Sequence, residues 1–288
     1  MNQKSVQESS GGRTLVNALG IPFILLMIYL GGWAFWAFVT VVSILAMREF
    51  YSLGHKRDVR PNFILGCTAT FMITLHFYFG PGHPIKIFRP GEILLLMVPL
   101  IILAELLRGR NNAMSNIATT LGGILYIPFL MGSMIGLREI DPIAPEMGLK
   151  LTFCLFAGVW ACDSAAFVVG MKWGKQKLME RVSPKKTVAG GVGGLVAAFF
   201  FFIIIMQTGF LNSQYTMASV NFIDFLIFTV IIGIIGQAGD FAESLIKRDM
   251  GVKDTSSFLA GHGGILDRFD SLIIASPVMY LYVKYLIY

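Results

Sequence analysis

The feature that most restricts this chain is a succession of apolar runs, each about as long as a bilayer is thick, separated by short polar loops. A helix needs about 20 mainly apolar residues to cross the hydrocarbon core. Runs of that order recur from residue 15 through residue 288. Charged residues make up 14% of the chain, well below the roughly 25% of an ordinary soluble domain. Backbone groups inside a bilayer must be satisfied within their own segment, so uninterrupted runs like these fold as helices. The expected fold is all-α, a polytopic membrane protein.

Nine candidate spans follow: 15–30, 33–47, 62–79, 93–107, 117–137, 151–169, 192–210, 222–246 and 271–288. Only Gly31 and Gly32 part the first two, which form either a tight hairpin or a pair that enters partway and returns. The polar start carries Lys4 and Arg13, and no small-residue cleavage site closes the apolar segment after it. A retained first helix is therefore expected rather than a cleaved signal peptide.

With that start on the cytoplasmic side, 18 of the 23 Lys and Arg residues fall in loops on the same side. They cluster at 48–60, 108–110, 172–186, 247–253 and Arg268, whereas Lys86, Arg89, Arg138 and Lys150 lie opposite and Lys284 lies in or near the last span. This is the bias that orients membrane helices, and it supports a cytoplasmic N-terminus. It also accounts for the net charge of +6 without a nucleic-acid partner. Cys67, Cys154 and Cys162 sit within apolar runs and read as small buried hydrophobes. With no repeat or linker evident, residues 1–288 form one membrane domain, with N-terminal helices in 15–150 and the catalytic part in 151–288.

Three stretches carry polar chemistry. Asp163 lies inside the sixth span, where a charge costs about 3 kcal/mol to insert. Such a residue is kept for function or to pair between helices. From Lys172 to Gly194 a loop combines Lys and Arg with Ser183, Thr187 and four glycines just before a helix. Ammonium groups, hydroxyls and backbone N–H groups at a helix start suit phosphate oxygens; the alternative is a basic topology loop beside anionic lipid. It lacks the Walker spacing.

The third stretch runs GDFAESLIKRDMGVKDTSSFLAGHGGILDRFDS from Gly239. Asp240, Glu243, Ser244 and Lys247 are spaced to share one helix face, and Asp267, Arg268 and Asp270 precede the last span. Two acidic groups parted by a basic loop suit a divalent cation, since Mg²⁺ favours one or two carboxylates plus substrate phosphates. His262, among glycines, is read as a hydrogen-bonding or loop-shaping residue and not as a ligand.

The run SLIKR from Ser244, the pair Lys253–Asp254 and HGGILDRFD from His262 resemble the signature of the phosphatidate cytidylyltransferase family. DSAAF from Asp163, GKQKL from Gly174 and SPKKT from Ser183 are similar as well. The resemblance implies a multi-helix membrane enzyme, commonly a homodimer, that converts CTP and phosphatidate to CDP-diacylglycerol and pyrophosphate with Mg²⁺ and room for a second cation.

It further implies a location in a bacterial inner membrane, with the active site at the cytoplasmic face. By motif position Asp240, Asp267, Lys247 and Arg268 serve catalysis, and Asp240, Asp267 and Asp163 hold metal. Ser183, Lys185, Lys186, Thr187, Ser244, Arg248, Lys253 and His262 serve the substrates. Ala260 replaces the family's usual Pro, Gly or Ser before GHGG. Ala189 stands where the family usually has Glu, which removes a carboxylate from the loop. The competing readings are another CTP-dependent membrane enzyme, such as a polyprenol kinase, and a secondary transporter. A transporter would show paired broken helices in repeated halves, whereas the polar residues here concentrate in the C-terminal third.

Overall fold

A proline at a helix start and a left-handed glycine at its end are the punctuation that cuts these apolar runs into separate helices. The computed structural model describes residues 19–80, 88–212, 220–256 and 263–288. In chain order the helices are α1 (Leu19–Leu30), α2 (Gly32–Gly54), α3 (Phe63–Phe79), α4 (Pro90–Arg108), α5 (Ala113–Tyr126), α6 (Pro128–Arg138) and α7 (Pro145–Trp173). A small hairpin of β1 (Lys177–Met179) and β2 (Ser183–Thr187) then leads into α8 (Val188–Gln207). Last come α9 (Phe222–Val230), α10 (Gln237–Asp249) and α11 (Leu266–Tyr282). Pro90, Pro128 and Pro145 each open a helix, where the missing N–H costs nothing.

The architecture is all-α, as expected. Among the described residues, seven segments are long and apolar enough to cross a membrane. These are α2 with its final turn, α4, α5 with α6, α7, α8, α9 with α10, and α11 with its last turn. Leu19–Leu30 and Phe63–Phe79 are apolar but shorter, so the expected count of nine is not confirmed among the described residues, which exclude residues 15–18 of the first span. α1 folds back along α2: the Phe23 and Phe38 rings, almost equally far from the Gly31–Gly32 break, meet at 5.8 Å. Both glycines have positive φ, which a residue with a β-carbon rarely adopts. The two helices therefore turn back on one another at this glycine pair.

The eighth span is one helical rod in which a π-helical turn, Ile231–Gly236, joins α9 to α10. Single π turns of this kind tend to occur near functional sites. The last span begins earlier than its hydropathy suggests. Asp267, Arg268 and Asp270, expected ahead of the helix, lie in the first turns of α11. Acidic side chains are favourable at a helix N-terminus, but they lower the local hydropathy and so disguise the helix start.

The glycines before α8 also take a different place. Gly190, Gly191, Gly193 and Gly194 belong to the helix itself. A β-carbon on Gly190 would overlap the Ala166 carbonyl of α7, and one on Gly194 would crowd Cys162. Small residues four apart let membrane helices approach closely, and α7 and α8 form the most extensively packed pair. The site end of α11 is wedged in the same manner by a ring: Phe269 lies between Phe38 of α2 and Phe156 of α7.

The basic loops gather at one end of the bundle. Arg57 after α2 pairs with Asp249 at the end of α10 at 3.2 Å. Arg108 donates to the Arg60 carbonyl at 3.0 Å, and Arg248 donates to the Val182 carbonyl of the hairpin at 3.3 Å. At the other end Lys150 donates to the Asn212 carbonyl at 2.9 Å.

Candidate active site

α10 presents a polar face to the bundle. Glu243, Ser244 and Lys247 are buried and Asp240 is half-buried on one side of a regular helix. Gln237 opens α10 directly after the π turn. Its Nε2 donates to the Gly233 carbonyl at 2.5 Å and to Gly191 of α8 at 3.1 Å. α10 is thus tied to the start of α8 one turn before Asp240.

α11 supplies the facing carboxylates. Asp240, Glu243 and Asp270 each place an oxygen within 4.8 Å of the others. Three like charges this close repel unless cations oppose them. Lys186 of β2 reaches in to pair with Asp240, its ammonium also lying 4.5 Å over the Phe241 ring. Lys247 lies 2.5 Å from Glu243 and 2.6 Å from Asp267. Two lysines therefore stand against four carboxylates, leaving two formal negative charges. An all-oxygen donor set with that deficit fits a hard divalent cation such as Mg²⁺. Asp163 is exposed on α7, near enough to Asp240 and Lys186 for their charges to act on it.

Asp267 is engaged differently from its neighbours. Besides Lys247, it accepts from the Gly264 N–H at 2.6 Å, the Thr255 N–H at 3.2 Å and the Thr255 hydroxyl at 2.9 Å. Oδ2 is committed to the loop after α10 and the residue before α11, and Oδ1 to Lys247. The expected metal acids take different places: Asp240 gathers with Glu243 and Asp270, Asp267 joins that group through Lys247 while its Oδ2 holds the loop, and Asp163 stands to one side. Glu243 and Asp270, noticed in the sequence only as acidic neighbours, complete the group.

The other expected residues fall into three sets. Lys186 and Ser244 reach the carboxylates, Ser244 donating to Asp240 at 3.4 Å. Thr187 and Arg248 act on the backbone. Thr187 caps α8 by accepting from the Gly190 N–H at 3.1 Å, and Arg248 joins the hairpin to the Val252 carbonyl. Lys185, Lys253 and Arg268 are exposed, and Ser183 is half-buried at the head of β2. Lys253 shares a cleft with Ser52, Lys56 and Thr255. His262 and Ala260 lie outside the described residues.

Sequence reasoning passed over Glu49. It sits at the polar end of α2, where a carboxylate reads as an ordinary solvated charge, yet it is only 6% exposed. Its signal was confined to one acidic residue in a basic loop region.

Comparison with known proteins supplies the remaining finding. Residues 12–286 match the model of the cytidylyltransferase family. The chain is similar to a phosphatidate cytidylyltransferase of Synechocystis sp., 30% identical over 96% of this chain and 97% of that protein. It is 29% identical to one of Bacillus subtilis, over 93% of this chain and 95% of that one. A third, from Staphylococcus aureus, is 28% identical over 93% and 96%.

Proposed function

The chain belongs to the cytidylyltransferase family, and from that premise we propose that it transfers CMP from CTP to phosphatidate, giving CDP-diacylglycerol and pyrophosphate. The observation that carries this reading to particular residues is a convergence. Lys186, Asp240 and Asp267, drawn from three separate elements, gather at the basic end of the bundle, Lys186 pairing with Asp240 directly and Asp267 joining through Lys247 and Glu243.

In the reaction a phosphatidate oxygen attacks the α-phosphorus of CTP, and the bond from that phosphorus to the bridging oxygen of the β-phosphate breaks. Pyrophosphate leaves with that electron pair. Both reactants are anions, so catalysis is chiefly positioning and charge neutralisation. Mg²⁺, held by Asp240 with Asp270 and Glu243, would neutralise phosphate charge as the two approach. Asp163 lies beside that group as a further acid, and a second cation would draw on it and on the phosphate oxygens of the substrates. Lys186 is placed to exchange its pairing with Asp240 for a phosphate oxygen. Lys247 holds Glu243 and Asp267 in register, while Lys253 and Arg268 offer exposed positive charge around the site. Ser183 and Lys185 continue the same hairpin toward the nucleotide.

The chain is an integral membrane protein. We place it in a bacterial inner membrane with its basic end, the site and the N-terminus facing the cytoplasm, where CTP is dissolved and the lipid phosphate lies at the interface. A homodimer is the proposed assembly. Incubating the purified protein with phosphatidate, Mg²⁺ and CTP labelled at the α- or γ-phosphorus tests the reaction. Label should enter the lipid from the α-position only, with release of pyrophosphate. Transfer of the γ-label to a lipid alcohol would instead establish a kinase.

A further inference from the structure

We propose that Glu49, in the N-terminal half of the chain, is a positioning residue for the carboxylate site borne by the C-terminal half. α11 carries no capping side chain of its own, since Ile265 occupies its N-cap position. The first N–H groups of any helix need acceptors, and here they find them on α2. The Ile265 N–H donates to Glu49 Oε1 at 3.0 Å and the Leu266 N–H to Oε2 at 2.8 Å. The same carboxylate accepts from the Ser256 hydroxyl at 2.6 Å and stands 3.2 Å from that of Thr255.

A carboxylate at a helix N-terminus is favoured by the partial positive charge there. Among the described residues Glu49 forms no ion pair, so hydrogen-bond donors alone hold its charge. Gly264 makes the approach possible: a β-carbon there would overlap Glu49 Oε2 and Thr255 Oγ1.

The consequence reaches the site by two routes. Thr255 Oγ1 is within hydrogen-bond distance of both Glu49 and Asp267, and its one proton, donated to either, couples the positions of the two carboxylates. Asp267 in turn holds Lys247, which holds Glu243. Capping α11 also sets where along the bundle its first two turns stand, and the second carries Asp270. Glu49 itself is not one of the gathered carboxylates. It acts through Thr255, Asp267 and the α11 backbone.

This inference rests on the proposed CMP transfer only for its kinetic readout. Glu49→Gln keeps the size of the side chain but removes the charge and turns one acceptor into a donor. Misplacement of reacting groups by about 1 Å can cost a hundredfold, so kcat per folded molecule should fall about ten- to a hundredfold, with KM for CTP within about twofold. Glu49→Asp, which restores the charge, should recover part of that loss. Amide exchange in 263–270 should quicken in Glu49→Gln while α8 and α9 exchange as in the wild type. Turnover within twofold of wild type would overturn the proposal. So would a loss of turnover explained entirely by a smaller folded fraction. Unchanged exchange in 263–270 overturns it whether or not the wild-type chain transfers CMP, which separates its failure from failure of the functional reading.

Discussion

The two ends of the bundle each bury a charged side chain that terminates a distant helix, and they do so with opposite signs. At one end Arg138, 6% exposed, donates from Nε to the Ile28 carbonyl of α1 at 2.8 Å, and its Nη2 lies 3.4 Å from that of Tyr29. At the other, Glu49 accepts from the first N–H groups of α11. The environments then diverge. Arg138 has Glu139 beside it at 3.9 Å, and Glu139 accepts from the Gly32 N–H at 2.9 Å. Charge there is locally balanced. Around α10 and α11 the carboxylates outnumber the lysines that oppose them. A buried charge alone therefore does not mark a site, because both ends have one. An uncompensated surplus of one sign, with room for a cation, does.

The comparison predicts that variants at the two ends will fail in different ways. Asp240→Asn removes one charge from the surplus and keeps its shape. Turnover should fall by about a thousandfold, the scale seen when an electrostatic partner of the reaction is lost, with little change in Tm; near-normal turnover at ordinary Mg²⁺ would sink the metal assignment. Chelating divalent cations from the wild type should be as damaging and reversible on adding Mg²⁺, whereas full activity in chelator would remove the cation from the scheme.

Asp267→Asn should combine both kinds of failure. Its oxygens hold Lys247, Thr255 and Gly264, so turnover should fall about a hundredfold and thermal unfolding should begin earlier. A loss of activity with no loss of stability would place Asp267 among the cation-holding acids instead. Arg138→Met should cost about 3 kcal/mol of stability, as expected for breaking a buried charge network. Turnover per folded molecule should be unchanged, and a specific kinetic defect would contradict the balanced-charge reading. The smallest effect is expected at Ala189, half-buried in the first turn of α8 beside Lys186. If the missing carboxylate limits the reaction, Ala189→Glu should raise kcat by a few-fold, roughly 1 kcal/mol in barrier.

Much of this was legible from local pattern. The membrane class, the helical fold and the polar face of α10 follow from hydropathy and from spacing of three and four residues. The convergence of Lys186 with Asp240 was suggested only by both loops falling on one side of the membrane. Other features were disguised. Asp267 and Asp270 read as loop because charge at a helix start looks the same as charge beyond it. The glycines of α8 read as a phosphate cradle, although two of them admit the backbone of α7. Hydropathy measures composition more sharply than helix length, and the described helices Leu19–Leu30 and Phe63–Phe79 are shorter than the other seven segments.

By itself, then, the sequence determined that the chain enters a membrane as helices, which end is basic, and which helix face is acidic. Each of these depends on residues within a few turns of one another, where periodicity and transfer free energy act directly. Only the tertiary structure brought Asp240, Glu243 and Asp270 together and joined Asp267 to them through Lys247. It alone joined Glu49 to the start of α11, more than 200 residues away. Hydrogen-bond donors and acceptors carry no record of their partners until packing brings them within about 3 Å, and a bilayer offers no water to satisfy them otherwise.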